Sequence, residues 1–394
     1  MFTNQCPVCQ ADEPVPVVHL DRIPVLCNVL CSTREAALNI PRGDVKLAFC
    51  PNCGHVWNTA FEPALMEYTP AYENSLHFSP TFQSYARSLA ERLIGQHHLH
   101  HKDLVEIGCG QGDFLRMLCA LGNNRGVGFD PGYLPPPNGA QPDERVRIVP
   151  DSYSARYASY PADLICCRQV LEHIQAPGDM LQSVRRAAGH RLDTVIFFEV
   201  PNALFTLRDL SIYDIIYEHS SYFSAGSLAY VFAAQGFHVR EVREEFNGQF
   251  LSITAQVAHD GESPPRSRWN GLEQMAADVQ SFTAHYRQKT GEWNERLETW
   301  VRAGRKVVVW GGGSKGTMFL NTLRTQGCIE YVVDINPRKQ GRYVAGAGQQ
   351  IVPPDFLRTY HPDVVIVMNP VYQDEIRQTI EHLGVPARFE FLGA

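Results

Sequence analysis

The 394-residue chain has no apolar run near the roughly 20 residues that span a bilayer, so no membrane helix is expected. Its first residues, MFTNQCPVCQ, lack a basic stretch and an apolar core, so no secretory signal is expected there. An excess of positive charge is missing too: 35 Lys and Arg stand against 42 Asp and Glu, a formal charge of −7. That balance argues against a general binder of phosphate backbones, and no nucleic-acid partner is expected. The chain also lacks the G-x4-G-K-[ST] order of a P-loop. With 44% hydrophobic and 20% charged residues, it has an ordinary globular composition and a length that suits two or three domains. Eleven cysteines in such a chain point to thiols in a reducing, cytoplasmic compartment rather than to a disulfide framework.

Four of those cysteines are paired. CPVC (Cys6, Cys9) and CPNC (Cys50, Cys53) are two C-x2-C knuckles, and Gly54 follows the second. Each knuckle offers two thiolates to one face, and two knuckles complete a closed, structural Zn2+ tetrahedron. The 40 residues between them are a long insert for such a module. Cys27, Cys31 and His55 are substitute ligands, and four unrelated thiols are the plain alternative. A redox pair fits less well, because neither knuckle opens a thioredoxin-like βαβ unit.

The middle of the chain reads DLVEIGCGQGDFLRMLCALG. A short strand (104–107) runs into glycines 108, 110 and 112. A helical stretch follows with Phe114, Leu115, Leu118 and Leu121 at helix spacing, then a strand GVGFD ending at Asp130. This is half of a nucleotide-binding α/β unit, with an acid at the end of the second strand that suits ribose hydroxyls. The glycines of E-x-G-x-G-x-G let a ligand approach the backbone, and Glu106 suits a cationic ligand better than a pyrophosphate. The pattern resembles motif I of class I S-adenosylmethionine (SAM) methyltransferases. In such folds Asp151 and Ser152 would hold the adenine. Gln169, in ADLICCRQVLEHI, would face the cofactor, and His173 the acceptor. TVIFFEVPN is the next strand, ending near Glu199 and Asn202. Cys166 and Cys167 read as small apolar residues of a buried strand.

A second α/β unit follows. Val307–Trp310 leads into Gly311, Gly312, Gly313 and Gly316, with Lys315 among them. Later strands end near Asp334 and Asn369. Lys315 and a helix N-terminus could meet a phosphate, unless this domain merely packs. A long helical stretch, SRWNGLEQ to ETWVRAG, joins the two units. His97, His98, His100 and His101 read as a solvated linker, with metal binding as the alternative.

One polar stretch, YEHSSYFS (217–224), lies between apolar segments. It reads either as a catalytic cluster or as a capping loop before a helix that starts near Ala225. Together the motifs CPVC/CPNC, EIGCGQG, VLEHI, FEVPN, YEHSSYFS, GGGSKG and VVDINPRKQGRY, in this order, resemble the sugar C-methyltransferase family across nearly the whole chain. Members methylate C-3 of nucleotide-linked 4-keto-6-deoxysugars in antibiotic pathways. The resemblance implies an α/β fold: a zinc module (1–75), a SAM-dependent methyltransferase domain (76–257), a helical connector (258–300) and a C-terminal Rossmann-like domain (301–394). It implies SAM and structural Zn2+ as cofactors, and a small-molecule acceptor, possibly a nucleotide-sugar, with the protein a monomer or homodimer. It matches His219 to the catalytic base and Glu218 to the acid beside it. A base that removes a proton next to a ketone also needs a donor to the enolate oxygen, for which Tyr222, Tyr217 or His173 are the candidates. Tyr72, Glu199, Asn202, Lys315 and Asn369 are the candidate acceptor-binding residues. The sequence departs from the family where Ile216 and Tyr217 replace a tyrosine and a histidine, and in YTPAYENSLHFSPTF and VMNPVYQDEI. Methylation of a non-sugar metabolite at N, O or C is therefore a second expectation. A zinc-ribbon scaffold or RNA-binding module with a vestigial SAM fold is a third.

Overall fold

The computed structural model describes residues 5–66, 71–135, 143–160, 162–189, 191–258, 271–325 and 327–392. Tyr68–Pro70 of the pre-domain segment, and the start of the connector before residue 271, lie outside the described residues. The fold is α/β, built on three sheets.

The largest sheet has seven strands. Val146–Val149, Arg125–Phe129, Asp103–Ile107, Leu164–Arg168 and Val195–Pro201 run parallel, in that spatial order. Phe250–Val257 and Phe237–Glu245 close the far edge antiparallel. The central strands are apolar runs because helices cover both faces; Leu164–Cys167 and Val195–Val200 are buried throughout. Cys166 and Cys167 are strand-core residues, as read from the sequence. The strand order reverses between Asp103–Ile107 and Leu164–Arg168. A crevice opens at such a switch point, beyond the carboxyl ends of the strands. The helix Asp113–Gly122 buries Phe114, Leu115 and Leu118 against this sheet.

The second sheet is all parallel, in the order Gln350–Val352, Ile329–Val333, Val307–Trp310, Val364–Val367, Arg388–Phe391. Its order reverses between Val307–Trp310 and Val364–Val367, which places the glycine loop after Trp310 beside Asn369. The 31-residue helix Leu272–Arg302 lies between the units and buries Met275, Val279, Phe282, Trp293 and Leu297.

The third sheet is antiparallel: Val15–Pro24, Arg42–Phe49, Val56–Asn58 and Ser221–Tyr222. Its last strand comes from the polar stretch read above. Trp57 pairs with Ser221, Val56 pairs with Tyr222, and the Asn58 amide donates to the Ser220 carbonyl at 3.0 Å. The cysteine-bearing segment thus extends by hydrogen bonding into YEHSSYFS. One core cluster joins this sheet, residues 203–222, the long helix and the second sheet. No helix among the described residues is long and apolar enough to cross a membrane.

Candidate active site

The first glycine loop is shaped for a ligand. Gly108, Gly110 and Gly112 have φ of 68°, 55° and 85°, a region costly for side-chain-bearing residues. A Cβ on Gly108 would sit 2.1 Å from Val170 Cγ2, and one on Gly112 would sit 2.5 Å from Ile148 Cδ1. A Cβ on Gly110 would meet nothing within 4 Å, so its bare face is open. Asp130 follows the second strand. Its carboxylate accepts from the Gly110 amide at 2.8 Å and the Gly132 amide at 2.7 Å, which sets the loop's curvature. Glu106 is buried beneath, and its Oε2 has no partner among the described residues. Burial pushes its ionisation up to about 8. A buried carboxyl with a spare acceptor, under an open backbone loop, fits a cationic ligand such as SAM. Asp151 lies past the next strand, paired with Tyr157 (2.5 Å) and Arg156. Beside it Phe129, Tyr153, Tyr157 and Tyr160 form an aromatic cluster, while Ser152 is exposed.

A cavity of about 320 Å³ lies between the seven-stranded sheet and the all-parallel sheet. Tyr72, Gln169, His173, Asn202, Glu218, His219, Tyr222, Lys315 and Asn369 all line it, although they come from widely separated stretches of sequence. Its volume is that of a small-ligand site. Gln169, at the end of the strand beside the glycine loop, adopts φ 56° and donates to Glu199 at 3.1 Å.

YEHSSYFS resolves into roles that differ residue by residue. Glu218 is fully buried. It accepts from the Cys27 amide at 2.5 Å and from the Tyr72 hydroxyl at 2.5 Å. Burial raises its ionisation to about 7, against the lowering effect of the Tyr72 hydroxyl. His219 makes no hydrogen bond to a described residue; it meets His173 edge to face at 5.0 Å between ring centroids. Burial first, then the neighbouring His173 and Lys315, hold His219 well below the usual imidazole range. His173 Nδ1 lies 3.0 Å from the Glu218 carbonyl, which only accepts, so this nitrogen carries the proton. Ser224 caps the helix Ala225–Ala234 in a capping box with Ser227. Both readings of the stretch therefore have residues of their own: a cap at Ser224, and polar groups facing the cavity at Glu218 and His219.

The structure also shows what holds the other expected residues. Tyr217 turns away from the cavity: its hydroxyl accepts from the Glu62 amide at 2.9 Å and its ring packs on Phe61. Ile216 takes the place in the cavity wall. The Tyr222 hydroxyl both accepts from and donates to the Ile216 backbone, at 3.1 Å each, so it is occupied by the fold. Glu199 lies under the site, fully buried, paired with Arg168 at 3.0 Å and with the Tyr85 hydroxyl. Lys315 is in the first turn of the helix Ser314–Thr322, ion-paired with Asp214. Asn369 spans to Gln249 at 2.9 Å, and Asn202 caps the helix Ala203–Leu207.

Sequence reasoning missed Glu172, Asp214 and Lys339, which also line the cavity. Glu172 stood inside VLEHI next to a residue already singled out. Lys339 stood inside VVDINPRKQGRY without being singled out, and Asp214 carried no local signal.

The cysteine module is compact. Cys6 and Cys53 Sγ lie 3.6 Å apart, Cys9 and Cys50 Sγ 3.5 Å, and no disulfide joins them. Four thiolates about 2.3 Å from one tetrahedral ion would stand about 3.8 Å apart, so the set fits zinc. Cys27 and Cys31 lie elsewhere, and His55 packs between Trp57 and Phe223. The four histidines 97, 98, 100 and 101 form no ligating cluster among the described residues.

Residues 81–242 match the family model for a methyltransferase domain, and residues 267–386 match that for a C-methyltransferase C-terminal domain. The C-methyltransferase NovU of Streptomyces niveus is 25% identical over 391 residues, covering 95% of this chain and 91% of its own. Among solved structures, a putative SAM-dependent methyltransferase from Listeria monocytogenes is 12% identical and covers 45% of this chain and 100% of its own, with a TM-score of 0.35. The 1,6-didemethyltoxoflavin-N1-methyltransferase of Burkholderia thailandensis is 18% identical and covers 45% and 81%, with a TM-score of 0.34. With the two family models in tandem and a relative along almost its entire length, the protein is a SAM-dependent methyltransferase. The similarity runs along nearly the whole chain, and the reaction class is C-methylation.

Proposed function

We propose that the enzyme methylates a carbon next to a ketone in a nucleotide-linked deoxysugar, with His219 as base. The observation that carries this reading is the cavity: His219, from the stretch that pairs with the cysteine-bearing sheet, and Lys315, from the helix after the second glycine loop, both line it. The first glycine loop and Gln169 would hold SAM, which supplies an electrophilic methyl group when bound. Cys6, Cys9, Cys50 and Cys53 would hold a structural Zn2+ that fixes the strand paired with Ser221–Tyr222.

A carbon next to a ketone becomes nucleophilic only when a proton leaves. His219 is unprotonated at neutral pH and has no hydrogen-bond partner among the described residues to release first. Glu218, tied to the Cys27 amide and to Tyr72, anchors the backbone that carries it. The remaining contribution of the protein is alignment. Lys315, next to the second glycine loop, would meet a phosphate in exchange for Asp214.

Calorimetric titration with S-adenosylhomocysteine, then with thymidine diphosphate on the saturated complex, tests the substrate class. Binding of both supports a nucleotide-sugar acceptor. Binding of the first alone moves the acceptor to another small metabolite. His219→Asn is expected to abolish methylation and keep S-adenosylhomocysteine binding; full activity would remove His219 from the chemistry.

A further inference from the structure

Glu172 has no place in the mechanism above, yet its setting is unusual. It sits on the short turn Leu171–His173 and is 2% exposed. Its Oε2 has no hydrogen-bond partner among the described residues, and its Oε1 stands 3.9 Å from His173 Nε2. One ligating atom each from Glu172, His173 and His219 lie within 4.8 Å of one another, and all three residues line the cavity. The tautomer matters. His173 Nδ1–H is committed to the Glu218 carbonyl, so Nε2 presents a lone pair toward the Glu172 carboxyl.

An unpartnered buried carboxyl costs on the order of 1–3 kcal/mol unless something uses it. The charge that His219 acquires is also expensive. Once it takes a proton it is a cation in a buried site, near Lys315 and with no carboxylate bonded to it. Each group supplies what the other lacks.

We propose that Glu172 is a positioning residue for proton removal: its carboxylate, beside the His219 ring, supplies the negative charge that steadies His219 after it takes the acceptor's proton. The proposal rests on the reading of His219 as base. As the acceptor's C–H bond breaks, its proton joins a His219 nitrogen and its electron pair moves into the ketone as an enolate. Glu172 releases its own proton to solvent, so cation and carboxylate form together. After the new C–C bond forms, His219 gives its proton to solvent and Glu172 takes one up, leaving one proton released overall.

Burial, then the Glu199 carboxylate, push Glu172 up to about 8 in the ligand-free protein, so it is largely neutral at pH 7. The groups facing it are Cys167 and Glu199 from the adjacent strands and His173 and His219 in the cavity; Lys315 acts on His219 from the opposite unit. The ionised form is the useful one, so proton removal should accelerate as pH rises toward 8.

The test uses zinc-loaded enzyme saturated with S-adenosylhomocysteine, so no methyl transfer occurs. The probe is a thymidine-diphosphate-linked 4-keto-6-deoxyhexose deuterated at C-3, and NMR follows the exchange of that deuterium into water. Glu172→Gln is expected to slow exchange at least 30-fold, to leave probe affinity within about 3-fold and to flatten the pH profile. Glu172→Asp should be slowed less and keep the rise with pH. S-adenosylhomocysteine affinity and near-ultraviolet circular dichroism check folding; if the Gln variant fails them, the Asp variant decides, and a flat profile there overturns the proposal. Wild-type exchange in Glu172→Gln, with exchange lost in His219→Asn, overturns the role of Glu172 alone. Undiminished exchange in His219→Asn, or none in the wild type, overturns the reading beneath it. Acceleration of the wild type by added Mn2+, Fe2+ or Zn2+ would assign the three side chains to a metal and overturn the proposal.

Discussion

Replacing Glu218 by Gln should change the sign of its effect on stability with pH. In the unfolded chain the carboxyl ionises near its ordinary value of 4.5, and in the folded protein burial raises this to about 7. Ionisation therefore favours the unfolded state, and the contribution falls as pH climbs from about 4.5 to about 7, then levels. The difference is worth about 3 kcal/mol at about 1.36 kcal/mol per pKa unit, most of it between pH 5 and 8.5. Gln has the shape of the neutral acid and does not titrate. At pH 5 it should cost about 1 kcal/mol, because its amide meets the Tyr72 hydroxyl or the Cys27 amide, one of which must turn or lose its acceptor. By pH 8.5 the mutant should be more stable than wild type by roughly 1–2 kcal/mol. Urea unfolding followed by tryptophan fluorescence, on zinc-loaded protein at both pH values, measures the two differences. Other titrating groups cancel between wild type and mutant. The same difference at both pH values would refute the argument, because it would mean that Glu218 is not held against its own ionisation.

Three more outcomes are expected. Gly110→Ala should cost only the strain of its left-handed backbone, about 1 kcal/mol, yet lose S-adenosylhomocysteine affinity about 10-fold, since its Cβ would meet no protein atom and would project into the space left for a ligand; Gly108→Ala should lower the melting temperature further, because Val170 Cγ2 stands in the way. S-adenosylhomocysteine, which carries an ammonium group, should bind more tightly as pH rises from 6 to 9, since Glu106 is neutral below about 8; in Glu106→Gln that slope should vanish in titration calorimetry. Stripping metal from the cysteine module should reduce methyl transfer by at least 10-fold and leave S-adenosylhomocysteine binding within a factor of 3, because the module pairs with Ser221–Tyr222 and not with the first glycine loop; equal loss of both would refute that separation.

The first glycine loop was legible from sequence because its signal is local. Strand, three left-handed glycines, helix and Asp130 follow one another over 25 residues, 106–130, and backbone sterics allow few residues other than glycine there. The cysteine knuckles and the cap at Ser224 are local in the same sense. YEHSSYFS was legible as a segment but not residue by residue. Glu218 lines the cavity while Tyr217 packs under Glu62, and which of two neighbours points inward depends on the strand Val56–Asn58, which meets this stretch from about 160 residues away. Glu199 and the Tyr222 hydroxyl had the composition of site residues, but Arg168, Tyr85 and the Ile216 backbone satisfy them. The sequence by itself determined the α/β class, the first glycine loop and the cysteine set, since each rests on short-range spacing. Only the tertiary structure decided the cavity, because Glu172, His219, Asp214 and Lys339 become neighbours through packing between distant segments, where burial also shifts the ionisation of Glu172 and His219.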